Sequence, residues 1–147
     1  MNFAPAMPQV DAIAALHELL ALTQRSFPQY LRHARPYRHG DDQEVLTTLD
    51  EIVADQDLLV EKIIGQLERS GHVPPSAEFP MEFTGLHDLA LDYLLDRAID
   101  YQKRDLAALE LLSESLACHQ TIRSLVDEAT GMARGHLQSL EECCANS

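Results

Sequence analysis

The sequence predicts an all-α protein built as a bundle of four long helices, and three observations carry that reading. Leu, Ala, Glu, Asp and Gln dominate the 147 residues, while Gly is held to 6, a composition that favours helix. Apolar residues recur at three- and four-residue spacing through most of the chain. Val, Ile and Thr form no alternating runs. The clearest repeat is Leu49 to Leu67. The length suits one domain.

Residues 1–8 hold Pro5 and Pro8 and read as a loose arm. A first helix is expected over about 10–35, with Ile13, Leu16, Leu20, Phe27 and Leu31 on one face. Pro28 removes a backbone donor and crowds the preceding turn, so a kink or short break is expected there. Ser26 with Gln29 three residues on is a capping box that restarts the helix. Pro36 ends it. Tyr37 to Gly40 then forms a short turn between antiparallel neighbours.

The second helix is expected over about 41–71, started by Asp41 and Asp42 and stopped at Gly71. Its inward stripe is Val45, Leu49, Ile52/Val53, Gln56, Val60, Ile63 and Leu67. A long connection follows over 72–85, with three prolines. Its fourteen residues reach about 45 Å when extended. A helix of residues 41–71 is about 46 Å long. The connection can therefore cross the bundle and let the next helix run parallel to the second. The alternative is a simple up-down bundle with a loose loop. Phe79, Met81 and Phe83 favour a packed crossover, because they give the loop something to bury.

The third helix is expected over about 86–117, on Leu91, Leu94/Leu95, Ala98, Gln102, Asp105/Leu106, Leu109 and Leu112. No Gly or Pro marks its end, and the break near 118–121 follows from length alone. The fourth covers about 120–144, with Ile122, Leu125/Val126, Ala129, Met132, His136 and Leu140 inward.

The net charge of −13 repels nucleic-acid phosphates and anionic lipid. Neither partner is expected. No run is apolar enough to span a bilayer, and residues 1–8 do not read as a signal peptide. An odd Cys count of 3 gives no disulfide framework, which suits a reducing cytoplasm.

Several stretches resemble the ferritin-like superfamily. Leu16 to Arg35 is similar to the first helix of bacterioferritins, above all in Gln29-Tyr30 followed by His33-Ala34-Arg35. Val60-Glu61-Lys62-Ile63 and His136-Leu137-Gln138-Ser139-Leu140-Glu141 resemble parts of the second and fourth helices. The resemblance implies two antiparallel helical hairpins joined by the crossover. It also implies a di-iron site, with a Glu from each of two helices and a Glu-x-x-His from each of the other two. The chain departs from that ligand set. Residues 41–71 contain no His, so the second helix cannot carry Glu-x-x-His in any register. Ala133, not an acid, stands three residues before His136. Thr23 falls where the superfamily has its Glu on the first helix, and Gln102 where it has its Glu on the third. Glu18 and Asp100 point outward by phase. Asp55 and His136 survive as candidate ligands, with Glu51 matching in one register but facing outward. Haem is unsupported, since Ile52 or Val53 falls where some bacterioferritins place a methionine. Cage-forming members add a short fifth helix, for which no counterpart is expected after 144.

Gln24, Gln56, Gln102 and His136 all fall on inward stripes about half-way along their helices, with Asp105 close by. Buried polar groups need partners, so these five are expected to form a polar layer in place of the metal site. The expectation is a ligand-depleted ferritin-like module, structural or interacting, with a homodimer as one form and no catalytic residue or cofactor. The alternative is a remnant metalloprotein in which Asp55 and His136 help hold Fe or Zn, although such a site needs a third ligand. A phosphotransfer bundle with a His acceptor is a third reading. None of His17, His33, His87 and His119 is followed by the Lys-Gly pair typical of that family.

Overall fold

The computed structural model describes residues 9–33, 43–74, 78–85 and 91–145. They form five α-helices: α1 (Gln9–Gln24), α2 (Phe27–His33), α3 (Gln43–Arg69), α4 (Leu91–Glu114) and α5 (Gln120–Ala145). A short 3-10 helix at Met81–Phe83 lies in the connection between α3 and α4. Among the described residues there is no strand, and no helix is long and apolar enough to cross a membrane. The expected arm at 1–8, the turn at 37–40, the start of the second helix at 41–42 and that of the third at 86–90 lie outside the described residues.

The expected first helix is two helices, α1 and α2, with the break at Arg25 and Ser26. Arg25 N–H still donates to the Ala21 carbonyl at 2.9 Å, and Tyr30 N–H to the Ser26 carbonyl at 3.1 Å. Between them Pro28 offers no N–H, so the helical ladder is interrupted there. Only half of the capping box forms. Ser26 Oγ accepts the Gln29 N–H at 3.4 Å, while the Gln29 side chain turns to Asp57 at 3.1 Å.

Helix α3 closes on a Schellman motif. His72 N–H reaches the Leu67 carbonyl, and Gly71 N–H reaches that of Glu68, both at 3.0 Å. Gly71 adopts φ 81°, the left-handed region open to glycine. The third helix ends three residues sooner than expected, at Glu114 instead of 117. Ser115 Oγ takes up the Leu112 carbonyl at 2.7 Å. Leu116 and His119 N–H groups close tight turns onto Ser113 and Leu116.

Two apolar clusters fill the interior. One joins Ala12–Leu20 of α1, Leu59–Leu67 of α3, Leu109 and Leu112 of α4 with Leu116 just beyond it, and Ile122–Ala133 of α5. The other joins Phe27 and Leu31 of α2, Leu49 and Ile52 of α3, Leu94–Tyr101 of α4, and Leu140 and Cys143 of α5. The order of these residues gives each helix its direction. Helices α3 and α4 both run from the second cluster to the first. The course α1–α2 and helix α5 both run the other way. Helix α3 packs on α1, α2 and α5, and α4 packs on α5, α2 and α1.

The connection after α3 therefore returns along the molecule. It leaves beside α1, where the His72 and His17 rings stand 6.5 Å apart edge to face. It arrives in the second cluster through Phe83, which is buried, and Phe79, which is partly so. Phe83 lies 5.0 Å from Phe27 and 4.9 Å from Tyr101 between ring centroids. Of the three apolar residues expected to anchor the loop, two do. Met81 is 87% exposed.

Candidate functional site

Between the two clusters, at mid-length, lies a cavity of about 30 Å³, the volume of roughly one water molecule in the liquid. Its polar lining comes from four helices: Thr23 of α1, Gln56 of α3, Gln102 and Asp105 of α4, and His136 of α5. Leu22, Leu59, Leu109, Ala129, Met132 and Ala133 complete the wall. Each polar residue occupies a position where the helical repeat calls for a core residue, so the layer interrupts the apolar interior at one level.

The buried members are bonded to protein. Ser26 Oγ donates to Gln56 Oε1 at 2.9 Å. Gln102 Nε2 donates to the Ala133 carbonyl at 3.0 Å, using that oxygen's second lone pair. Thr23 Oγ1 donates to the Leu19 carbonyl, one turn back, at 2.8 Å. His136 Nε2 and Asp55 Oδ2 lie 2.8 Å apart, an ion pair when the imidazole is protonated. Asp55 itself is exposed, so this pair ties the buried ring to the surface of α3. A second set of bonds continues the layer between α2 and α3. Arg32 donates to Asp57 Oδ2 and to Gln29 Oε1, each at 2.7 Å.

Asp105 differs from the others. It makes no hydrogen bond or ion pair among the described residues, and burial pushes its carboxyl up to about 6, against the opposing pull of the Arg104 guanidinium. Loss of hydration disfavours the charged form, and no protein donor among the described residues offsets that loss.

The donor set does not fit a di-iron centre. Two amides, a hydroxyl, one carboxyl and one imidazole line the cavity, where such a centre takes four carboxylates and two imidazoles. Among the described residues no three His, Cys, Asp or Glu side chains are grouped so as to hold a metal ion. Asp55 and His136 are brought together, but bonded to each other. Glu51 is exposed, on the outer face where its phase puts it.

Of the five residues expected in the layer, Gln56, Gln102, Asp105 and His136 meet at the cavity. Gln24 does not. It is half-buried at the end of α1. The most deeply buried residues of α1 are Leu16 and Leu19, and one turn beyond Leu19 on that stripe is Thr23, whereas Gln24 follows Leu20 at the stripe's edge. Ser26 and Gln29, both buried, were legible only as a cap. Ser26, seven residues after Leu19, already stood at core spacing. Comparison with protein-family models, with curated proteins and with solved structures finds no match to this chain.

Proposed function

We propose that the chain is a ferritin-like four-helix bundle, α1 and α2 together making its first helix, in which a hydrogen-bonded polar layer stands in place of the di-iron centre. It works as a structural or interaction module, not as an oxidase or an iron store. The helix directions support the bundle reading, because two antiparallel hairpins joined by a full-length connection are the arrangement that superfamily uses. One observation carries the functional reading. Gln56, Gln102 and His136, at mid-length on three helices, are buried and each is already bonded, to Ser26, the Ala133 carbonyl and Asp55. A buried polar network satisfied in this way fixes how helices sit against one another, and that is what it contributes here.

Metal analysis of protein purified without chelator tests this. The reading expects metal far below one equivalent per chain. Zinc or iron at one equivalent, lost on His136→Ala, would replace it with a mononuclear metal protein using Asp55 and His136. A homodimer belongs to the proposal as one form of the interaction role, and light scattering would show it as twice the chain mass.

A further inference from the structure

A groove of about 330 Å³ opens where the connection between α3 and α4 crosses α1 and α4. That volume is at the lower end of small-molecule sites, about 300–1,000 Å³. Five charged residues line it, and inside its exposed rim two of opposite sign, Arg25 and Asp105, have no hydrogen-bond or ion-pair partner among the described residues. Arg25 sits at the break after α1. Its guanidinium lies over the Phe79 ring at 5.5 Å, and its Nε is buried with no hydrogen-bond partner. Asp105 faces it from α4 and lines both this groove and the inner cavity. The other arginine of the groove, Arg104, is turned to Glu82. Phe83, Tyr101 and Pro80 give the groove an apolar wall, and Glu18 and Glu78 stand at its exposed rim.

A guanidinium with a buried, unbonded Nε and a carboxyl with no protein donor among the described residues suit a ligand that carries both complements. A carboxylate on Arg25 would form charge-assisted bonds, and an ammonium would do so on Asp105. We propose that the groove binds a small zwitterion with an apolar body, its carboxylate held by Arg25, its ammonium by Asp105, and its body against Phe83 and Tyr101. The site is separate from the bonded members of the polar layer, so the zwitterion and metal experiments can fail independently.

Calorimetric titration of the full chain tests the assignment. The probes are phenylalanine, leucine and 6-aminohexanoate, which vary the spacing of the two charges. Phenethylamine and 3-phenylpropionate each keep the ring and one charge. At least one zwitterion is expected to bind saturably at one per chain, with both single-charge analogues weaker by about tenfold or more. Arg25→Gln and Asp105→Asn are each expected to weaken binding by a similar factor while circular dichroism stays helical. Lys62→Gln, in a different groove, should bind as the parent does. The proposal fails if no zwitterion binds with Kd below about 10 mM, if either analogue binds equally well, or if both variants keep full affinity.

Discussion

Among the described residues, Asp105 is the acid whose chemistry the fold alters most. Unfolded, it loses its proton near the ordinary value of 3.8, and folded it keeps that proton to about 6. Between these values the folded state binds more protons, so this residue's contribution to stability falls as pH rises from about 4 to about 6 and is fully lost above. The span corresponds to something on the order of 2–3 kcal/mol. Asp105→Asn should therefore raise stability at pH 7.5 by roughly 1–3 kcal/mol and change it little at pH 4. Urea unfolding of both proteins at the two pH values reads this directly, because the other acids cancel in the comparison. Gln56 is the opposite case. Its carbonyl oxygen serves the buried Ser26 hydroxyl, so Gln56→Ala should destabilise by about 2–4 kcal/mol through a lost bond and a new void. Urea unfolding with no loss would mean that the layer is not held as described.

At the scale of elements, what the sequence makes legible depends on whether a boundary has a local cause. Gly71 ends α3 because the chain needs a left-handed residue there. No side chain crowds the place a Cβ would take, so Gly71→Ala should cost only the backbone term, about 1 kcal/mol, read as a small downward shift in the thermal midpoint. The break between α1 and α2 follows from Pro28 and is equally local. Ser26→Ala removes the cap of α2 and the donor to Gln56 together and should cost about 1–3 kcal/mol. The end of α4 has no such signature, since it closes through tight turns at 115–119 that no Gly or Pro marks. Thr23 was placed at the ligand position by the resemblance, but the apolar repeat alone pointed to Gln24, for a related reason. Which of two adjacent residues faces inward on α1 is decided by how that helix rotates against its three neighbours.

For the whole molecule, the connection between α3 and α4 decides the topology. Its hold is apolar, through Phe83 among Phe27, Tyr30 and Tyr101. The exposed Arg104–Glu82 pair adds little. Phe83→Ala should accordingly cost about 3–5 kcal/mol, while Glu82→Gln should cost well under 1 kcal/mol, both by chemical denaturation. The sequence made the helices legible through their periodicity and the crossover through loop length. Most of the layer was legible through phase. It did not show which polar side chains bond to which, because those pairings join residues far apart in the chain, such as Asp55 with His136 and Ser26 with Gln56. The central claim is that Gln56, Gln102 and His136 of the mid-level layer are held by protein groups and that the layer performs no iron chemistry. The most direct measurement adds ferrous iron to metal-free protein under air and follows both its oxidation and its binding. The account predicts oxidation no faster than in buffer and no saturable iron. A pair of iron ions bound per chain, with oxidation accelerated by the protein, would contradict it.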